Sequence, residues 1–368
     1  MSCAPGLEKV KEELAALLDE LVNVAGVTGF EDAVRHKIAA LLEPTGAQLD
    51  TDHMGNLYAA VPGRGNERGN RPAVMLCAHM DEVGFVVSNI DAEGFIYLYP
   101  LGGIPDHLGP GEWVSLQAGE TAVQGVIGMH PPHLPAAGGH SIFVDVGARS
   151  RDEVLQMGLD IGTPAIFTHS FRRLGSGRVA GRCLDNRMGC AVLIALLRRL
   201  PDSAAPAAVT CVFSTTEEHG MLPGSKPGPV YGARGALVAA MKLRPDLAVV
   251  VDSMAAGDIP GTPGHSRQIR LGGGTALRLV DDLTIMRPGM RSLLKKIAAA
   301  NGIPVQEGMS RSYTDASAVQ LAGVPVAALG IPLRYGHSPA QVADLEDMAQ
   351  TLLFLQALLN NVDKFCSV

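Results

Sequence analysis

Two histidines and three carboxylates stand where apolar runs end or turns begin in this chain of 368 residues: His79 in AHMDEVGF, Asp185 in GRCLDNRMG, Glu218 in FSTTEEHG, Asp252 in VVVDSM and His337 in RYGHSP. Imidazole nitrogens and carboxylate oxygens are the donors of a two-metal hydrolytic centre. Two divalent ions bring four positive charges; three carboxylates remove three, and a bridging hydroxide would remove the last. Metal binding brings the pKa of water down to about 7, so that hydroxide is also the nucleophile. For five side chains to give each ion three ligands, one carboxylate must bridge. Asp185 is read as the bridge, its oxygens each taking one of two ions about 3.5–4 Å apart.

The surrounding runs indicate what positions these groups. AVMLCAHMDEVGFVV is apolar and β-compatible, and reads as a buried strand delivering His79, Asp81 and Glu82. His79 and Asp81 are two apart and face the same side of an extended chain. Asp81 is therefore placed to hold a ligand histidine or to polarise the centre. AVTCVFSTTEEHG reads as a strand running into a loop. On a strand the adjacent Glu217 and Glu218 face opposite ways, so one would bind metal and the other would serve as general base, then as acid toward a leaving amine. Taken singly, each group has a plainer use: His79 in a core, Asp185 capping a helix, the glutamates solvated in a loop, His337 in a turn. Asp252 is the strongest single case, since an acid ending a buried apolar strand needs a counter-charge.

Taken in order, AHMDEVGF, LDNR, EEHG, the aspartate ending VVVD, the TDA of Thr314, Asp315 and Ala316, and GIPLRYGHSP resemble the glutamyl and deblocking aminopeptidases. These are co-catalytic metallopeptidases that assemble into tetrahedral dodecamers, and the resemblance covers nearly the whole chain. It implies that His79, Asp185 and Asp252 hold one ion while Asp185, Glu218 and His337 hold the other. It also implies Glu217 as general base, Asp81 as the residue behind His79, and a cis peptide from Asp185 to Asn186. Zinc fits the donor mixture, and cobalt or manganese would also be accepted. The chain departs from the family pattern in three places. LPGSKPGPVYG (222–232) is an insertion read as a Gly- and Pro-rich rim loop, LGGGTALRLVDD replaces a more usual Gly-Pro segment, and SRSYTDA lacks the glycines that often precede TDA.

Composition narrows the alternatives. A chain that is 47% hydrophobic and 18% charged buries a large core. A net charge of -7 disfavours nucleic acid as a partner, because phosphate binding needs a basic surface. Apolar runs such as AVLIALL are too short to span a bilayer, and LEKVKEELAALLDELVNV is a charged amphipathic helix rather than a signal peptide. The expectation is a soluble cytoplasmic protein whose six dispersed cysteines stay reduced, with thiolate ligation disfavoured beside a complete set of hard donors.

The order of elements predicts a fold. From about Gly84 to Arg173 come short β runs punctuated by glycine, with one helical signal at SRDEVLQMG; after them strands and helices alternate to the C-terminus. The expected architecture is an α/β three-layer sandwich with a largely parallel central sheet (1–83 and 174–368) and an inserted small β-rich domain (84–173). The resemblance assigns that insertion to dimer contacts, with dimers stacking into a homo-oligomeric dodecamer. Its histidines, His107, His130, His133, His140 and His169, read as surface or structural groups rather than a second metal site. The function read from the chain is a metal-dependent aminopeptidase that removes N-terminal residues from peptides. A co-catalytic metallocarboxypeptidase or amide deacylase would use the same chemistry. A glucan hydrolase would need two carboxylates but not the histidines, and a non-catalytic cage protein would need neither. The preferred N-terminal residue is not readable from these motifs.

Overall fold

The computed structural model describes residues 5–61, 72–105, 108–119, 121–131, 133, 141–200, 207–220 and 232–364. All but the last residue of the expected rim loop lie outside these, as do His107 and His140.

A mixed sheet forms the larger part of the molecule. Its four central strands, Ala208–Ser214, Ala73–His79, Leu247–Ala255 and Val326–Arg334, lie side by side and are parallel. On one side the hairpin of Gln48–Thr51 and Leu57–Ala60 continues the sheet antiparallel to Ala208–Ser214. On the other, Gln341–Asp344, Arg178–Gly181 and Arg172–Leu174 follow, each antiparallel to its neighbour, while Thr275–Val280 branches antiparallel from Val326–Arg334 and carries Val305–Met309. The expectation of a largely parallel sheet therefore holds for the centre, whereas every marginal pairing except that of Thr275–Val280 with Val305–Met309 is antiparallel. Short turns join Gln48–Thr51 to Leu57–Ala60 and Arg172–Leu174 to Arg178–Gly181, and so fix those pairings as antiparallel.

The central strands are buried on both faces, as their unbroken apolar composition requires. Along Ala73–His79, Val74, Leu76 and Ala78 enter one apolar cluster; Met75 and Cys77 enter another. The first is closed by helices Pro5–Val22, Asp32–Leu42, Leu184–Leu197, Pro288–Ala300 and Leu345–Leu359, the second by Arg234–Leu243 and Asp315–Leu321. Leu184–Leu197 is buried along its whole length, which matches a helix that is apolar all round. Burying each large aliphatic side chain contributes about 1.5–3 kcal/mol. Helices Asp315–Leu321 and Leu345–Leu359 begin on side-chain caps. Thr314 Oγ1 accepts the Ala316 N–H, and Asp344 Oδ1 accepts the Glu346 N–H.

The β runs between Gly84 and Phe167 close into a separate six-stranded barrel. Its order is Gly84–Ile90, Ile96–Leu101, Ile142–Asp145, Thr121–Ile127, Trp113–Ala118 and Pro164–Phe167, and every pairing is antiparallel. Closure leaves no unpaired edge. Phe85 and Phe167 pack edge to face inside it, with ring centroids 5.3 Å apart. The helical signal appears as Arg151–Gln156, capped by the Ser150 hydroxyl. One expectation is corrected here. AVMLCAHMDEVGFVV is not one strand: it ends in the sheet at His79, turns through Met80 to Val83, and resumes in the barrel at Gly84. The two halves belong to different apolar clusters, in line with the expected boundary between residues 83 and 84.

Candidate metal centre

The C-terminal ends of the parallel strands converge on one crevice, the usual place for a site in an open α/β sheet. His79 is the last residue of its strand and pairs in register with Ser214, the last residue of the neighbouring strand. Asp252 lies near the end of Leu247–Ala255 opposite Gly330. Glu217 and Glu218 sit in the turn after Ser214, His337 follows Val326–Arg334, and Asp185 stands at the kinked start of Leu184–Leu197. The Asp185–Asn186 peptide is cis.

Asp185 lies between two sets of donors. Its Oδ1 is 3.4 Å from His79 Nε2, and His79 Nε2 is 3.5 Å from Asp252 Oδ1. Its Oδ2 is 3.7 Å from His337 Nε2, which is 3.2 Å from Glu218 Oε2. The donor atoms within each of the two groups, His79 with Asp185 and Asp252, and Asp185 with Glu218 and His337, lie within 4.8 Å of one another. Two three-residue sets thus share one carboxylate. Asp185 Oδ1 and Glu218 Oε1 are buried and have no hydrogen-bond partner, although a buried charged oxygen needs one. A cation in each set would supply it, so these residues fit a pair of divalent ions.

The imidazoles are oriented from behind. His79 Nδ1 is 3.2 Å from the Asp81 carbonyl oxygen and 3.5 Å from its carboxylate, and His337 Nδ1 is 3.1 Å from the Gly103 carbonyl oxygen. Acceptors at both Nδ1 atoms make these the N–H positions and leave each Nε2 lone pair directed at the carboxylates. Gly103 belongs to the segment leaving the barrel strand Ile96–Leu101. A Cβ there would come within 3.0 Å of His337 Nδ1, so glycine permits this approach. Asp81 also accepts the backbone N–H of Glu217 (3.1 Å) and of Glu218 (3.0 Å).

Protein groups alone leave the centre short of positive charge. Glu218 raises the His337 pKa to about 10. Burial raises Glu217 well above its ordinary pKa and raises Glu218 and Asp252 too, and neighbouring carboxylates add to it. Burial also opposes ionisation of Asp81, but its contacts with His79 and the two glutamate amides outweigh this and lower its pKa.

The two glutamates do not face opposite ways. The strand ends at Ser214, Thr216 adopts φ 54°, and both carboxylates come within 4.8 Å of a His79 nitrogen. The left-handed residue, whose N–H donates to Glu31 Oε1 at 3.1 Å, redirects the chain and so defeats the alternation expected of a strand. Several neighbours of the site carried no local signal. Ser253 Oγ donates to Asp185 Oδ2 at 2.8 Å, and Tyr313 Oη donates to the Glu217 carbonyl at 3.0 Å. Arg278, a lone cation inside the apolar run TALRLV, was the one such residue with a visible anomaly. Asp315 of the TDA string lies beneath the centre, where its Oδ2 accepts from Ser214 Oγ and, at 3.4 Å, from Cys77 Sγ. Among the described residues, Cys77, Cys183, Cys190 and Cys211 are buried and free, and none belongs to a metal-donor group. His130 and His133 are exposed, and His169 pairs with Glu112 at 2.7 Å.

A family profile for M42 glutamyl aminopeptidases matches residues 55–353. The chain belongs to the M42 peptidase family. It is accordingly a peptide hydrolase. This M42 chain is 31% identical over 364 residues to a glutamyl aminopeptidase of Lactococcus lactis subsp. cremoris, covering 95% of this chain and 97% of the relative. It is 30% identical over 361 residues to a lysyl aminopeptidase of Pyrococcus furiosus, covering 94% and 96%. Its fold is similar to that of the Pyrococcus horikoshii TET1 peptidase, which can assemble into a tetrahedron or a large octahedral shell. The TM-score is 0.82 at 28% identity, with 94% of this chain and 99% of the other covered. No helix among the described residues is long and apolar enough to cross a membrane.

Proposed function

We propose that the protein is a metal-dependent aminopeptidase in which His79, Asp185 and Asp252 hold one divalent ion, and Asp185, Glu218 and His337 hold a second. The observation that carries this reading is the position of Asp185, whose two oxygens face two different histidines. Zinc is the metal proposed, with cobalt and manganese as the alternatives the same donors accept. Such ions polarise a scissile carbonyl and bring the pKa of water to about 7. The residues of the chain do the rest. Glu217 is buried beside both donor sets, and its raised proton affinity suits a group that takes a proton at neutral pH and returns it to the departing amine. Asp81 holds His79 and the backbone of both glutamates in one arrangement. With Asp185, Glu218 and Asp252 neutralised by the ions, Glu217 is the one carboxylate in the cavity lining left to meet a substrate's free amine.

In the same reading, residues 1–83 and 174–368 form a three-layer catalytic unit, and 84–173 form an inserted unit that makes dimer contacts. Dimers then assemble into a closed dodecamer, in keeping with the shells of the Pyrococcus horikoshii relative. A cytoplasmic setting accords with the buried free thiols.

The test compares a free-amine dipeptide with its N-acetylated form, using metal-loaded, chelated and reloaded protein. The free dipeptide should be cleaved, the acetylated one spared, and activity should vanish with chelator and return with metal. Equal cleavage of both peptides would favour the amide deacylase, and metal-loaded protein that cleaves neither would end the peptidase reading.

A further inference from the structure

The cavity above the centre, about 490 Å³ in volume, is asymmetric in charge. One wall holds the metal donors and Glu217. Beyond these, the charged residues in its lining are Arg278 and Arg311. A substrate whose scissile carbonyl lies at the donor wall carries its first side chain on the adjacent carbon, within this same cavity.

The two arginines have different settings. Arg278 is 3% exposed; it donates through one Nη to the Ser312 hydroxyl at 2.9 Å and through the other to the Ser253 carbonyl at 2.6 Å. It therefore ties the segment around Arg311 to the residue whose hydroxyl holds Asp185. The rest of that segment is anchored too. The Ser310 N–H donates to the Val280 carbonyl at 3.0 Å, the Ser310 and Ser312 hydroxyls are 2.8 Å apart, and Tyr313 bonds to the Glu217 carbonyl. Arg311 is the exception. It is exposed, lines the cavity, and makes no ion pair or side-chain hydrogen bond with the described residues. Holding the neighbours of a cation while leaving the cation itself open is the arrangement of a recognition group.

We propose that Arg311 selects the charge of the substrate's first side chain, favouring a carboxylate over an ammonium or guanidinium, and that Arg278 is the positioning residue that presents it. This rests on the aminopeptidase reading. Membership of the family does not supply the sign of the preference, since one relative is a glutamyl and another a lysyl aminopeptidase. The cavity is open to solvent, so the selection is screened by salt.

The experiment measures kcat/KM of the full-length, metal-loaded protein on glutamyl, glutaminyl and lysyl 4-nitroanilides, with metal content checked in each sample. The wild type should prefer glutamyl to lysyl by at least about tenfold, a ratio that shrinks at high salt. Arg311→Ala should bring the ratio to within about threefold, chiefly by loss of glutamyl kcat/KM, and Arg311→Glu should reverse it. Ser312→Ala, which removes one anchor of the segment, should raise KM for the glutamyl substrate and lower the ratio with kcat retained. A wild type that prefers lysyl, or an Arg311→Glu variant with an unchanged ratio, overturns the proposal while leaving the aminopeptidase reading intact. Loaded protein that cleaves none of the three also overturns the proposal, and the comparison of free and acetylated dipeptides then decides the aminopeptidase reading separately.

Discussion

Asp81 accepts the backbone N–H of Glu217 at 3.1 Å through one carboxylate oxygen, and through the other it holds the next residue, Glu218, at 3.0 Å. The same side chain lies behind His79. An amide at this position keeps one acceptor and turns the other into a donor facing an N–H. Asp81→Asn should therefore lower kcat about 10–100-fold with little change in KM. Steady-state kinetics on metal-replete enzyme check this, and a kcat within twofold of wild type would remove the positioning role.

Glu217 tests the proton transfer separately from metal binding. Glu217→Gln keeps the shape and loses the base, so turnover should fall about 10²–10⁴-fold while both ions remain bound. Metal analysis alongside kinetics decides it; near-normal turnover would transfer the proton role to another group.

Asp185 faces both donor sets, so its loss should be felt at both. Asp185→Ala should bind neither ion after extensive dialysis, where wild type retains two per chain. Retention of one ion per chain would mean that the carboxylate serves a single site.

Glu82 is buried between two guanidinium groups. It is paired with Arg182 Nη1, lies 3.3 Å from Arg187 Nη2, and accepts the Gly26 N–H at 3.0 Å. Glu82→Gln strips the negative charge from a buried pair of cations and should cost about 3–5 kcal/mol. Urea unfolding would read this as a lower midpoint at an unchanged slope; an unchanged midpoint would contradict it.

Asp347 gives a pH signature away from the metal centre. Its oxygens accept the Gly272 N–H at 2.8 Å and the Gly274 N–H at 2.7 Å, yet burial raises its pKa from 3.8 to about 7, with Asp344 and Glu346 adding to the rise. Between these values the folded chain holds a proton that the unfolded chain has released. This group's stabilisation is thus complete below the unfolded pKa and is lost as pH rises toward about 7. Asp347→Asn should flatten that part of a melting-temperature profile and, by losing one acceptor, cost about 1–2 kcal/mol. A profile with the wild-type slope would show that another group titrates there.

Local sequence determined the elements and the chemistry they offer. A strand such as AVMLCAH is apolar on both faces and so must be central; an acid or imidazole at its end must meet a counter-charge, and side-chain caps at Thr314 and Asp344 set where helices start. These are properties of a few adjacent residues. Only the tertiary structure decided which groups face one another. The left-handed turn at Thr216 brings Glu217 and Glu218 to the same point, the barrel reaches back through Gly103 to orient His337, and Arg278 joins Ser253 to Ser312. Each of these depends on contacts between segments far apart in the chain, and the periodicity of one segment carries no record of its neighbour.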